Sequence, residues 1–516
     1  MDVPGKAIQL NDGKIMLGAQ ELCGLETVEI NGKVYRKRLL TPEEWAAVAS
    51  KFGKQEYAYE VNSFWDKKNQ RPYQKTKYLG VVVNKSKKIF ERKVRRKEEK
   101  LILDFGDTYI LNRFLEEKTF VQLVKKVFAE QSETLLALLS YRICYSSAMV
   151  YAQSWFEGNY AKVLYKNSNL SSQRISSFLD YIGDEKLQRS FFAEYIQLFC
   201  NAKKGVIIDG TSLPNQIHMP LTAWGLSGEE IDKQIRFLLI VDKDTKNPLF
   251  FRLLPGNMLD VSALSITLNE LERHNIKNNF VYVDAGFFSE ENINEMYERN
   301  IEFLTRLPSL RIIYKQLIEK DLHDIESIQY AVRYGKRGLF VKQKEINLFG
   351  RKAYAHIVLD PERKGREMKK LLLDVTDEKE KHEEHELEYM LKTRGIMILV
   401  SSFKIDRSEV VPTYYIRQTA EMLFGFSKDD LKIVPLRVHS EGALRGFLFL
   451  QFLALIAFIQ IKKKIGKEYT VEDVMLVMRN LKCKVYDNEL VVQELTKQQK
   501  EIVTLFGFLM PKTLGI

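Results

Sequence analysis

The sequence predicts an α/β protein with a mixed sheet flanked by helices, and three observations predict it. Between residues 203 and 307, short apolar runs and amphipathic segments follow the order β-β-β-α-β-α-β, the pattern of a sheet covered by helices. Residues 308–394 interrupt that order with three β-like runs, SIQYAVRYG, GLFVKQKEI and AYAHIVLD, and then a charged helical run, DEKEKHEEHELEYMLKTR. At 396–402 the apolar run IMILVSS resumes as a buried strand, and helical segments follow it.

Residues 1–100 form a basic N-terminal region of the 516-residue chain. Thr41-Pro42-Glu43-Glu44 reads as a capping box with Pro at the first helical position, opening a short helix through Ala49. EYAYEVNSFWD (56–66) and YQKTKYLGVVV (73–83) alternate as strands do and flank a basic turn, KKNQRP (67–72), which predicts a β-hairpin with a basic tip. The net charge is +11, and residues 67–100 alone carry 14 Lys/Arg against 3 Glu, so the rest of the chain sums to zero. A basic stripe on a neutral body points to a polyanion, because Lys and Arg release counterions from phosphates. Lys67, Lys68, Arg71, Lys75, Lys77, Arg95 and Arg96 are the candidate DNA contacts there, with a solvated linker as the alternative.

Residues 101–202 predict a helical domain. Ser171 is placed to cap SSQRISSFLDYIG, which is either the second helix of a helix-turn-helix, with Ser172, Gln173 and Arg174 toward DNA, or part of an ordinary bundle. The expected domains are then 203–307 joined with 395–465, an insertion at 308–394, and a tail region at 466–516. Cys23, Cys144, Cys200 and Cys483 are far apart and form no CxxC, so they are expected to be free thiols in a reducing compartment. The N-terminus has no apolar signal run, and the longest apolar run, 447–461, has 15 residues interrupted by Gln451 and Gln460. That run is short for a bilayer and reads as a core helix, so a cytoplasmic protein without a membrane partner is expected.

The candidate chemistry centres on residues 414–428, YYIRQTAEMLFGFSK. On an α-helix at about 100° per residue, Tyr414, Arg417, Glu421 and Lys428 fall within roughly 60° of one another. A solvated helix scatters its charges, so one face carrying a phenol, a guanidinium, a carboxylate and an ammonium points to a site. Asp209 in VIIDGTS and Asp284 in VYVDAGFF each close an apolar strand-like run, where side chains leave the core. Three carboxylates converging from separate elements do not ionise together cheaply without cations. Hard oxygen donors select Mg²⁺ or Mn²⁺, and a pair of such ions serves phosphodiester chemistry. Arg417 and Lys428 are placed to hold flanking phosphates.

These residues resemble a DDE transposase of the insertion-sequence type. The resemblance rests on VIIDGTS, on VYVDAGFF and on the Tyr-x2-Arg-x3-Glu-x6-Lys helix, and extends to GALRGFLFLQFLALI and YEVNSFWDKKNQRP. It implies a ribonuclease-H-like catalytic core with a β-rich insertion. By the same resemblance Asp209, Asp284 and Glu421 match the metal-binding triad, which holds two Mg²⁺ or Mn²⁺ ions. Tyr414, Arg417 and Lys428 match the accessory motif that contacts DNA ends. The implied activity is cutting at terminal inverted repeats and joining the freed 3′-hydroxyl to target DNA, by a dimer. Relatives that pass through a hairpin hold a flipped base with a Trp in the insertion. This chain has Trp only at 45, 65, 155 and 224, leaving Tyr330, Tyr334 or Tyr354 to stack instead. The alternatives are a DNA-binding descendant without chemistry, or a nuclease of the same fold that cuts without strand transfer.

Overall fold

In the computed structural model the chain divides into two units, Met1–Lys97 and Glu98–Ile516. The described residues are 100–199, 205–227, 230–258, 260–274, 276, 280–376 and 384–515; before residue 100 only the backbone of the strands is described. In the first unit Tyr57–Asp66 pairs antiparallel with Arg71–Asn84, placing Asp66 opposite Arg71, so the expected hairpin forms where alternation predicted it. The capping box at 41–44, and Cys23 and Cys200, lie outside the described residues.

In the second unit Val206–Pro214 is an interior strand of the main sheet. It runs antiparallel to Glu230–Asp242 on one side and parallel to Phe280–Val283 on the other, and Phe280–Val283 runs parallel to Glu302–Arg306. Parallel neighbours need crossovers, and the helices Asp260–Arg273 and Glu290–Glu298 supply them. Val206, Ile207, Ile208, Val281, Phe303 and Leu304 are all buried, which is why these runs read as continuous apolar strands. Pro248–Pro255 and Ala223–Ser227 both pair with Glu230–Asp242 at the outer edge. This is the mixed sheet flanked by helices that the sequence predicts.

The β-like runs of 308–394 extend the same sheet. Ile396–Ser401 pairs antiparallel with Glu302–Arg306 on one side and with Arg351–Leu359 on the other. Arg337–Leu348 and then Ala331–Tyr334 follow, making ten strands in one continuous sheet.

A buried histidine marks that extension. His356 is 1% exposed, and its Nε2 lies 2.8 Å from Ser401 Oγ. Ser401 Oγ donates to the Phe403 carbonyl at 2.6 Å, so the proton between Ser401 and His356 belongs to Nε2. Nδ1 then accepts from Gln343 Nε2 at 3.1 Å, and a second ring proton has no acceptor. Burial accordingly holds the imidazole down at about 4. A base whose folded pKa lies below its unfolded value of about 6.5 contributes stability that is full above about 6.5 and lost as the pH falls to about 4. The effect is on the order of 3 kcal/mol. Urea unfolding of the wild type should therefore fall off through this window more steeply than that of His356→Gln; parallel curves for the two proteins refute it.

Helices cover the sheet from both ends of the chain. Glu441–Ile465 is long and apolar enough by composition to cross a membrane, yet 89% of its apolar window is buried inside the protein, so it is a core helix. It packs on Ser172–Ile182 and on Ser132–Cys144. The exposed N-terminal residues Ser172, Gln173 and Arg174 belong to a helix whose other face is committed to that packing. The tail folds back: Leu101–Asp104 pairs with Lys482–Val485 in a four-stranded sheet completed by Glu489–Val492 and Thr513–Gly515. Cys144 and Cys483 are buried free thiols.

Candidate active site

Asp209 lies within its strand, whereas the sequence predicts a strand that ends there. The strand continues to Pro214 because Glu230–Asp242 is long enough to pair as far as Gln234 opposite Pro214. Burial nonetheless changes where expected: residues 206–209 are buried and 210–212 are partly open. Asp284 follows directly on Phe280–Val283, and Thr305 Oγ1 of the neighbouring strand donates to its carbonyl at 3.3 Å. Beyond it, the Ser289 hydroxyl accepts from Asn292 N and caps Glu290–Glu298.

Residues 414–428 predict one α-helix, and the structure keeps them on one helical path with two local changes of pitch. Val410–Tyr415 and Gln418–Gly425 are joined through Ile416 and Arg417, which keep right-handed helical angles but bond i→i+3 in a tighter turn, and a wide π-type turn, Phe426–Asp430, follows. All four polar side chains still reach one place. The Tyr414 hydroxyl donates to Asp284 Oδ1 at 3.0 Å. Arg417 Nη1 is 3.2 Å from Asp209 Oδ2 and 3.9 Å from Asp284 Oδ2, and its Nη2 is 2.8 Å from Glu421 Oε1. Lys428 Nζ donates to Thr211 Oγ1 at 2.8 Å, two residues on from Asp209 and so on the same face of that strand.

The electrostatics follow from burial. Asp209 is 8% exposed, and loss of solvent pushes its carboxyl up to about 7, with Asp284 and Glu421 adding to the rise and Arg417 opposing it. Burial works to lower Arg417, but the surrounding carboxylates outweigh it and raise it. Burial, and then the charge of Asp284, raise the Tyr414 phenol, while burial lowers the Lys428 ammonium against the pull of Asp429. Three carboxylates thus share one guanidinium, whose Nε is buried without a partner. This hard-oxygen, net-negative donor set fits Mg²⁺ or Mn²⁺. Among the described residues, no three His, Cys, Asp or Glu side chains are gathered as a metal ion would gather them, and here the guanidinium stands between the three.

Sequence reasoning missed a supporting pair. Arg236, on the strand opposite Asp209, forms an ion pair with Asp260 and donates to Ser212 Oγ at 3.2 Å. A Cβ at Gly210 would lie 3.2 Å from Arg236 Nη2 and 3.4 Å from Asp260 Oδ1, and one at Gly286 would lie 2.8 Å from Asp260 Oδ2. The pair therefore runs close to the backbone just beyond both aspartates, and the glycines of VIIDG and VDAG were its signal. Arg142, buried in the helical region, donates to the carbonyls of Leu431 and Lys432 and so ties down the segment after Lys428. Burial lowers it to about 10.

Lys67, Lys68, Arg95 and Arg96 lie outside the described residues, as do the side chains of Arg71, Lys75 and Lys77 on Arg71–Asn84. The insertion tyrosines are already engaged. Tyr334 stacks on Tyr415 at 5.4 Å with Arg337 over it, Tyr330 lies beneath Lys342 and Arg407, and Tyr354 lies beneath Lys352. Trp155 is buried, and Trp224 is exposed with Lys233 over its ring.

The sequence matches the family model of the transposase DDE domain over residues 201–457, a span that holds every residue of this site. No curated protein matches it. A piggyBac transposase synaptic complex with hairpin DNA, solved by cryo-EM, is similar with a TM-score of 0.39 and 10% identity, covering 72% of this chain and 79% of that chain, a likeness too remote to carry an argument.

Proposed function

Because the chain belongs to the transposase DDE-domain family, we propose that it cuts DNA at the ends of an insertion sequence and joins the freed 3′-hydroxyl to target DNA. The observation that carries this reading is the convergence of Asp209, Asp284 and Glu421 on one guanidinium, with Lys428 beside them on the Asp209 strand. Its substrates in this reading are double-stranded terminal inverted repeats and target DNA, engaged by a homodimer in the cytoplasm.

Asp209, Asp284 and Glu421 would hold the divalent ions, which when bound supply the Lewis acidity that activates an attacking hydroxyl and stabilises a leaving oxygen. The other residues bind and orient. Arg417 offers a planar fork and Lys428 a point charge to the phosphates on either side of the scissile bond. Tyr414 fixes the carboxylate of Asp284 through its hydroxyl. The Arg236–Asp260 pair braces the backbone after both aspartates. Glu421, half exposed, is the most open of the three to solvent and to an incoming strand, with Asp284 next and Asp209 enclosed.

The test is a strand-transfer assay in Mg²⁺ on DNA carrying the inverted repeats that flank the gene, comparing the wild type with Glu421→Gln. Joined products that vanish in the variant, with DNA binding kept, support the reading. Cleavage without joining in both proteins leaves a nuclease, and binding without chemistry in Mg²⁺ or Mn²⁺ leaves a DNA-binding descendant.

A further inference from the structure

We infer that Arg417 is a built-in counter-ion which occupies the carboxylate cluster of the DNA-free protein and gives it up to a phosphate of bound DNA, so that divalent-cation binding and DNA binding strengthen one another. The inference rests on the site reading above and goes beyond it by assigning one side chain two alternating partners.

The geometry carries it. Each Nη of Arg417 lies within ion-pair distance of a carboxylate, and the guanidinium reaches all three at 3.2, 3.9 and 2.8 Å. Its side chain is only 15% exposed, so it fills the space between the acids rather than lying across their mouth. One guanidinium faces three carboxylates, so the cluster is held but not neutralised. A guanidinium and a divalent ion compete for the same oxygens, since both require them as acceptors or ligands. The Nε hydrogen is buried without a partner, which marks this pose as an incompletely satisfied one. Phosphate offers Arg a bidentate alternative of equal or better geometry. Arg417 stands at the tightened i→i+3 turn between Val410–Tyr415 and Gln418–Gly425, while Glu421 stands one turn further on in regular helix. The ring of Tyr414 lies 5.7 Å from the guanidinium carbon and offers it a second surface.

Coupling of this kind is reciprocal: whatever DNA does to cation affinity, cations must do to DNA affinity. The test measures Mn²⁺ binding by electron paramagnetic resonance on the full chain, with and without a duplex carrying the flanking inverted repeats. Wild-type protein should bind Mn²⁺ weakly alone and roughly tenfold more tightly with the duplex. Arg417→Gln should bind Mn²⁺ roughly tenfold more tightly than wild type without DNA and show little further gain on adding it. Arg417→Lys keeps the charge and should return toward wild-type behaviour, and its thermal melt alongside that of Arg417→Gln shows whether both fold. If Arg417→Gln is folded and binds Mn²⁺ no better than wild type in the absence of DNA, the guanidinium is a fixed structural partner and the inference is wrong. If Mn²⁺ affinities shift as expected but no protein nicks or joins the duplex, the counter-ion role stands and the transposase reading falls.

Discussion

Asp209→Asn is expected to abolish DNA cleavage and joining while leaving the metal-free protein as stable as wild type below about pH 4 and more stable at about pH 8. The chemical loss follows from removing one of three anionic ligands, and roughly 10³-fold or more is expected, since even the outer partners of metal ligands are worth 10–100-fold. The stability gain follows from the carboxyl being pushed up to about 7 by burial. An acid whose folded pKa is raised stabilises the fold fully below its unfolded pKa, near 3.9, and that contribution is lost as the pH climbs through about 7. Wild type should therefore lose on the order of 3–4 kcal/mol across this interval, which the neutral Asn does not lose. The Asn oxygen still accepts from Arg417 Nη1, so no buried donor is abandoned. Denaturation in a chelator from about pH 4 to 9 checks the stability arm, and Mg²⁺ should restore wild type, not the variant. Retained cleavage above a tenth of wild type, or flat and equal stability curves, sinks the assignment of Asp209.

The parts of this site that were legible in the sequence were those with a local signature. Asp209 and Asp284 close apolar runs, and the periodicity of 414–428 brings four polar residues to one face. The four meet because the backbone keeps helical angles through Ile416 and Arg417, so the predicted face survives a locally tightened turn. The tightened turn at Arg417 and the π-type turn at Phe426–Asp430 leave the hydrophobic spacing intact, so the pattern gave no sign of them. Non-local pairings were illegible for a different reason. Ile396–Ser401 joins Glu302–Arg306 to Arg351–Leu359, and nothing in a six-residue apolar run states which strands will flank it. The Arg236–Asp260 pair joins two ordinary-looking elements, and its trace was the absence of a side chain at Gly210 and Gly286. A residue type favoured by a neighbour's approach is visible in the sequence, but its cause is not.

Gly446→Ala is the second large effect, and it acts through the fold. The segment GALRGFLFLQFLALI opens the helix Glu441–Ile465, and its two glycines stand where Ser172–Ile182 crosses. A Cβ at Gly446 would overlap the Leu179 carbonyl oxygen and lie 2.7 Å from its carbon and 3.0 Å from Leu179 Cα. These are backbone atoms of a packed helix, so the clash is relieved only by separating the helices. At Gly442 a Cβ meets first the tip of a side chain, Asp180 Oδ1 at 2.6 Å, which Ser440 Oγ also contacts. Alanine gains about 1 kcal/mol of helix propensity over glycine at either position. Overpacking against backbone costs about 1–3 kcal/mol or more, and forcing apart a buried interface adds to it. Gly446→Ala should therefore destabilise by roughly 2–4 kcal/mol, while Gly442→Ala, where Asp180 can rotate away, should stay within about 1 kcal/mol of wild type. Urea denaturation of both variants decides it, and equal effects at the two positions contradict the backbone contact. Because Glu441–Ile465 also packs on Ser132–Cys144 and on the strand Pro248–Pro255, its displacement should weaken DNA binding and chemistry together. Asp209→Asn, by contrast, should separate them, so the pair of variants distinguishes a residue that performs the reaction from one that lets the fold close around it.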